Sequence, residues 1–451
     1  MGIFLGVFIA GVLGVSTSVF SETSIQMASN SNNGQKELKR VLTLQDCLNL
    51  AAQNNPEIQI SELTEEMASR DSKMATGAFL PTVVGGASYW FVDDTALLPV
   101  LPGSLLFTNV GRRNNALIGA SVLQPIYDQS LIATKKAANR KRDVATYHKE
   151  MAQDRALGGV KKSFYRALFL KKIASIQKDY RGTTSKELDL IEKRKTRGTA
   201  SELELVQARG AEAAGRSGYQ QTLDNFEQAK DHLKRLIGYP LETEIILEGD
   251  LDQMVQSQEG KGSGTGSNGA ESPAIKMANA QYRLASAETG RKVAAFLPSL
   301  HGFFNLYLTN PNFLVEPSNE FVLHYWTGGT LKVPIFDGLR NVQAYKRAKA
   351  QEKIALILKD EAHRQEKMKK RAQARQPSKA EESLEGPRKT FLASKKSYEV
   401  SRVAYQNRLI SKGKWVDAQR RWAQAQATWS QSQLNYLDDQ VNRGQFETYL
   451  P

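Results

Sequence analysis

Histidines, cysteines and close-set carboxylates are the side chains with which proteins bind metals, move protons or attack carbonyls. This chain has five histidines, His148, His232, His301, His324 and His363. None stands at the three-to-five-residue separation of a zinc ligand pair. Each reads as a solvated or strand-face histidine. Cys47 is the only cysteine, so no intrachain disulfide can form. It belongs to the helical pattern Leu44, Cys47, Leu48, Ala51 and reads as a small buried apolar residue. There is no phosphate-binding glycine loop, no dinucleotide fingerprint and no nucleophile elbow. The residues support neither an enzyme nor a bound cofactor.

The formal net charge is +14 and the isoelectric point about 9.5. Nucleic acid, an anionic membrane surface, an acidic substrate or plain solvation would each suit such a balance. Mean hydropathy is −0.45 and aromatic residues make up 8% of the chain, which favours long polar helices with narrow apolar stripes over several compact cores. Residues 1–15 form an apolar run too short to span a membrane, and they read as the core of a signal peptide. Val19 and Ser21 occupy the small-residue positions before a cleavage ahead of Glu22, although the usual basic start is missing. No other stretch is apolar for about 18 residues, so no helical span of the membrane is expected.

The chain repeats itself. Asn55-Pro56-Glu57-Ile58 recurs as Ser272-Pro273-Ala274-Ile275, and Phe79-Leu80-Pro81 as Phe296-Leu297-Pro298, both at an offset of 217. Gln124-Pro125-Ile126-Tyr127-Asp128 recurs as Val333-Pro334-Ile335-Phe336-Asp337 at 209, so the first half carries eight more residues, placed in a loop at 93–111. Proline disfavours helix in the residue before it, so each Phe-Leu-Pro ends a helix.

Strand follows. Leu300, Phe304, Leu306 and Leu308 alternate with His301 and Asn305, and Leu323, Tyr325 and Leu331 with His324, Thr330 and Lys332. Val83–Phe91 and Ala116–Leu123 are strand-like with smaller side chains. From Asp128 to Arg197 there is no proline, and helix over that length reaches ~105 Å. Its apolar positions (Leu157, Val160, Phe164, Ala167, Ile173, Ile176 and Tyr180) and those of the return (Tyr219, Leu223, Phe226, Leu233 and Ile237) keep coiled-coil spacing. Gly198 marks the turn, and Gly238-Tyr239-Pro240 the stop. Ser201–Ala208 aligns with Ser411–Ala418 at offset 210. One stretch disagrees. Residues 371–387 should be mid-helix, yet they contain Pro377, Gly386 and Pro387, so a kink or a break is expected there.

The expected layout is a signal peptide at 1–21, an extension at 22–41 and a first repeat at 42–248, with a strand pair at 82–124 and a helical hairpin at 128–238. A Gly/Ser-rich linker at 249–271 leads to a second repeat at 272–451, with a strand pair at 299–334 and a hairpin at 338–442.

From Leu42 to Asn442 these features, in this order and duplicated, resemble the TolC family of outer-membrane efflux and secretion channels. The resemblance implies a mainly α fold with a small β part. Long antiparallel coiled-coil helices would form a periplasmic α-barrel, and four strands per protomer would enter a twelve-stranded β-barrel of a homotrimer in outer-membrane lipid. It implies a passive exit duct for an efflux or type I secretion system, served by a periplasmic adaptor protein and an inner-membrane transporter. Physical reasoning runs the same way, because four strands cannot close a barrel and lipid does not tolerate an open sheet edge.

The resemblance also places function at the two helix turns. Gly198, Thr199, Ala200, Ser201, Ile410 and Ser411 would form adaptor-docking turns at the periplasmic tip. Glu204 and Asp417 fall on acidic positions near the constriction. Lys414 replaces a residue that is acidic in well-known members, and with Lys195, Arg197, Arg408 and Lys412 it makes this tip basic. The expectation is that Glu204 and Asp417 pair with these cations and hold the tip closed, and that the tip favours anions. A periplasmic coiled-coil scaffold or adaptor would explain the helices but not two strand pairs at equivalent repeat positions. A nucleic-acid-binding coiled coil conflicts with the signal-like start.

Overall fold

The computed structural model describes residues 40–91, 96–99, 107–110, 114–258, 271–310, 320–374, 377–407 and 409–443. The expected signal peptide and most of the extension before Arg40 lie outside them. So do Arg408 and most of the expected linker.

A three-residue strand β1 (Arg40–Leu42) leads to α1 (Leu44–Asn54) and α2 (Pro56–Gly77). Thr43 and Asp46 form a capping box at the start of α1. Asn55 separates the two helices. Its side-chain oxygen accepts from the Glu57 and Ile58 N–H groups, Pro56 fills the first helical position, and its Nδ2 donates to Leu236 O at 2.6 Å. The Asn-Pro motif therefore starts one helix and caps the end of another.

Past Phe79-Leu80-Pro81 the chain forms β2 (Thr82–Phe91), a small hairpin of β3 (Ala96–Pro99) and β4 (Phe107–Val110), and β5 (Asn114–Asp128). The hairpin lies where sequence indicated only a loop. β5 also runs past the expected end at 124, through a register shift at Pro125–Tyr127, to Asp128. Proline cannot donate to the ladder, and the shift accommodates it.

Asp128 accepts from the Ser130 and Leu131 N–H groups and caps α3 (Gln129–Thr196), 68 residues or roughly 100 Å of helix. α4 (Glu202–Leu236) returns beside it. Gly238, at φ +67, closes the end, because Tyr239 N–H reaches Lys234 O at 2.8 Å.

β6 (Ile245–Leu247) pairs in parallel with β1. α5 (Leu251–Gln258) follows, so the N-terminal part of the expected linker is helix, with Leu251 and Val255 buried. The second repeat runs α6 (Pro273–Ala294), β7 (Ser299–Asn310), β8 (Val322–Lys332), α7 (Arg340–Ala374), α8 (Pro377–Gln406) and α9 (Lys412–Arg443). The long second arm is thus two helices, α7 ending at Ala374 and α8 opening on Pro377, whose missing N–H costs least at that position. Pro387 lies within α8.

The four main strands form an antiparallel sheet in the order β2-β5-β7-β8. Its register gives two unlike faces. One carries Val83, Ile118, Val122, Phe304, Leu306, Leu308, Leu323, Tyr325 and Leu331. The other mixes the polar side chains Ser88, Asn115, Ser121, His301, Asn305, Thr309, His324 and Thr330 with Trp90, Leu117, Leu123, Phe303, Tyr307 and Trp326, and is the more polar of the two. On the polar face Tyr307 lies over Gly119, where a Cβ would stand 2.3 Å from the ring, and Phe303 lies over Gly328. The main buried cluster joins Leu42, Cys47, Phe164, Tyr165, Leu168, Leu233, Leu247, Leu251 and Leu437, about midway along the helices. Burial there pushes the Cys47 thiol up to about 12.

Candidate functional site

At the first turn Gly198 has φ +68 and open space around it. Its N–H bonds Lys195 O at 2.9 Å and that of Thr199 bonds Arg194 O at 2.8 Å, a Schellman closure of α3. The Thr199 hydroxyl adds a bond to Arg194 O, and the Arg194 guanidinium returns one to Thr199 O. Ala200 packs against Ile191, Leu205 and Ala208, and Ser201 caps α4.

Glu204 completes that cap. Its carboxylate accepts from Ser201 N–H at 2.8 Å while its own N–H reaches Ser201 Oγ at 3.1 Å. Arg194 lies 4.0 Å from the same carboxylate. Lys195 pairs with Glu202 at 2.9 Å and holds the Glu202 carboxyl below its ordinary value.

At the second turn Leu409 N–H reaches Ala404 O at 2.8 Å. Ser411 O accepts the Trp415 N–H at 3.3 Å and opens α9, while Ile410 is half-buried. Asp417 pairs with Arg420 at 2.5 Å and Arg421 at 2.8 Å, three and four residues along its own helix. The Arg420 hydrogen bond, ahead of Arg421, lowers the Asp417 carboxyl. Among the described residues Asp417 makes no ion pair with Lys414 or with the first turn. Arg408 lies outside them.

Sequence reasoning missed two features. The first is an aromatic ladder. Tyr398 stacks on Trp422 with centroids 4.7 Å apart and planes at 9°, and Tyr405 on Trp415 at 5.1 Å and 6°. Phe391 and Trp429 continue both series at the same seven-residue step and join the main core. The indole N–H groups of Trp415 and Trp422 are enclosed with no acceptor among the described residues. The heptad spacing was there to be found. The corresponding contact of the first hairpin is Arg181 over the Tyr219 ring, 5.5 Å from its centroid.

The second is Asp252 of α5. It takes Lys172 of α3 at 2.8 Å, and Trp429 Nε1 at 3.3 Å and Gln433 Nε2 at 2.5 Å from α9. Burial pushes its carboxyl up, but the bonds from Lys172, Gln433 and Trp429 outweigh it, and the net shift is downward. α5 thus straps the two hairpins together at the top of the ladder.

The histidines stay apart. His232 Nδ1 lies 3.0 Å from Ser163 Oγ, and burial, then Arg235 and Arg166, disfavours its charged form. His301 is 3.7 Å from Asp128. Among the described residues no group of His, Cys, Asp and Glu is arranged to hold a metal, and no helix is long and apolar enough to cross a membrane.

Residues 47–239, from the buried Cys47 to the cap after α4, match the family model described as Outer membrane efflux protein. That match covers 193 of the chain's 451 residues, and over this stretch the chain is similar to outer membrane efflux proteins. No curated protein sequence matches the chain significantly. Likeness of fold to solved outer membrane channels extends over the second repeat as well. The Campylobacter jejuni CmeC outer membrane channel superposes with a TM-score of 0.72 at 16% identity, over 90% of this chain and 87% of that one. Vibrio cholerae VceC, an outer membrane protein, gives 0.68 at 13%, over 88% and 94%. The open-state MtrE outer membrane channel of Neisseria gonorrhoeae gives 0.65 at 14%, over 92% and 93%.

Proposed function

We propose that the chain is one protomer of an outer-membrane exit duct that passively conducts substrates brought by an inner-membrane pump across the periplasm and outer membrane. The observation that carries this is the unfinished sheet. Its apolar face is open, with Val83, Tyr325 and Leu331 each about two-thirds exposed, and among the described residues no strand pairs with the outer edges of β2 and β8. Lipid covers such a face, but it accepts strands only in a closed barrel.

Copies of the chain close it head to tail. The helices repeat the order of the strands, α3 packing on α2 and α6, and α6 on α7, so that α2 and α7 end the layer. α2 exposes Ile60, Leu63, Met67 and Met74, and α7 exposes Ile354, Ile357, Leu358 and Met368. α2 has five carboxylates against two basic residues, and α7 eleven basic residues against four carboxylates. Unlike ends of opposite charge suit a cyclic homo-oligomer. Three copies supply twelve strands and leave the polar sheet face to the lumen.

The tip serves as gate and docking end. Leu203 and Val206 beside the first turn, and Val400, Val403 and Leu409 beside the second, are exposed apolar side chains at a helix end where a periplasmic adaptor would seat. Glu204, Lys414, Asp417 and Arg408 surround the constriction in this reading.

Planar-bilayer recording tests the duct. Purified protein should give discrete conductance steps, and its unheated oligomer should run as a slow band that boiling converts to the faster monomer. A protein that stays soluble, gives no steps and shows no heat-modifiable band is a periplasmic coiled coil instead. Neutralising Lys414 should change the single-channel conductance if the tip is the constriction.

A further inference from the structure

The excess positive charge is concentrated where the helices meet the sheet. Take the fourteen residues of each of the four helices nearest it: 64–77, 129–142, 281–294 and 340–353. They contain fifteen Lys and Arg against five Asp and Glu, an excess of ten within a chain whose total is +14. Four helical turns reach ~21 Å from the sheet. The count includes the α2 carboxylates, so joining α2 to α7 of another copy does not cancel it.

Local pairing does not absorb the excess. Arg70 pairs with Glu66, Lys141 with Asp71, Arg291 with Glu288 and Lys349 with Glu352, and Asp143, one residue past the collar, takes Arg140 at 3.0 Å and Arg142 at 3.7 Å. Lys73, Lys136, Arg283, Arg347 and Lys353 are exposed and make no ion pair among the described residues. Between this collar and the sheet lies an apolar girdle. Leu80, Phe296, Leu297, Ile335 and Phe336 are all exposed, Ile335 at 94% and Phe336 at 80%, and Ile126 near the end of β5 joins them. The order from the sheet outward is therefore apolar face, apolar and aromatic girdle, basic collar. A membrane interface has that profile when its headgroups are anionic. Like charges at this density repel one another unless counter-ions of fixed position lie nearby.

We infer that the collar binds the anionic phospholipid headgroups of the leaflet facing the helices. This rests on the exit-duct reading, which sets the sheet in a membrane. The collar would gather phosphatidylglycerol-type lipids around the junction and fix the depth of the sheet.

The test is the relative association of spin-labelled phosphatidylglycerol over phosphatidylcholine with the full chain in phosphatidylcholine vesicles, read by electron paramagnetic resonance. Bilayer conductance is recorded on the same protein. Wild type should favour the anionic lipid by about fivefold or more, the preference collapsing in 1 M salt. K136E/R283E/K292E, all on α3 and α6 and away from the α2–α7 seam, should remove most of it while keeping conductance steps. K178E/K186E/K193E, the same charge change far down α3, should leave it intact.

Equal association of the two lipids with a conducting wild-type protein overturns the collar and leaves the duct standing. A protein that neither inserts nor conducts overturns the duct. If K136E/R283E/K292E changes the chloride-to-potassium permeability ratio but not lipid preference, the charges face the lumen and the proposal is wrong.

Discussion

Single positions set the closures that the repeat depends on. Gly238 is the most demanding. It holds φ +67, and a Cβ there would stand 2.5 Å from Asn54 O. Gly198 has nearly the same φ but meets nothing. Gly198→Ala should therefore cost only the left-handed strain, ~1 kcal/mol. Gly238→Ala should cost clearly more, because the Asn54–Asn55 junction must also move. Urea denaturation of the two variants measures the difference, and equal midpoints would remove the steric part of the argument.

Asp252 gives a pH signature. Its folded carboxyl is held below its ordinary value, so its contribution is present above the unfolded value of about 4 and is lost as pH falls further. Asp252→Asn should lower stability at pH 7 by ~1–3 kcal/mol, leaving Lys172 without its carboxylate. The gap between variant and wild type should narrow at pH 3.

Legibility at this scale was uneven. Cys47 follows from one helical period. The Glu204 cap is written as Ser-x-x-Glu, and the partners of Asp417 follow from helical spacing alone. Reading Glu204 and Asp417 as partners of Lys195, Arg197, Arg408, Lys412 and Lys414 passed over the cap and the Arg420 and Arg421 pairs. Asp252 sits in a segment with only two buried apolar residues, too few to show a helix against its Gly- and Ser-rich surroundings.

Among the elements, the two hairpins differ in how they are joined. The first is held near its turn by Ile191, Leu205 and Ala208, the second by stacked aromatic pairs. Stacked pairs contribute ~0.5–1.5 kcal/mol beyond area burial, so a double-mutant cycle of Tyr398→Leu and Trp422→Leu should show coupling of that size. Arg181→Leu with Tyr219→Leu should show less, because that cation–π pair is partly exposed.

Sequence indicated the long helices well, because proline-free runs and three-four spacing persist over many turns. It did not locate the α7–α8 junction, since prolines announce a break without saying which of them begins the new helix. Strand faces were legible in β7 and β8 from strict alternation. In β5 the glycine and small residues blur the pattern, and the strand outran its expected end.

For the whole molecule, the unlike ends of the layer govern assembly. Replacing Ile60 and Met67 with Glu should abolish the heat-modifiable oligomer while leaving the protomer helical by circular dichroism. Retention of the oligomer would move the seam elsewhere. The duplicated architecture could be read because both halves carry the same breaks in the same order. The opposed charge of α2 and α7 could not be, since it has meaning only once the helices are known to end the layer.

The two passages from sheet to helix are built differently. In the first repeat β5 becomes α3 at Asp128 with no residue between. In the second, Val333–Leu339 intervene, Gly338 at φ +69 and Leu339 at φ 64, the latter a strained value for a branched side chain. Torque arriving up α3 has nowhere to dissipate and passes into the strands as through a welded shaft. Torque in α7 meets a jointed coupling of seven residues. In a ring of such protomers one spoke in four is welded, while α2 and α6 meet the sheet through four-residue breaks and α7 through the longest joint. Untwisting would therefore be freest at α7 while α3 holds the barrel's shape.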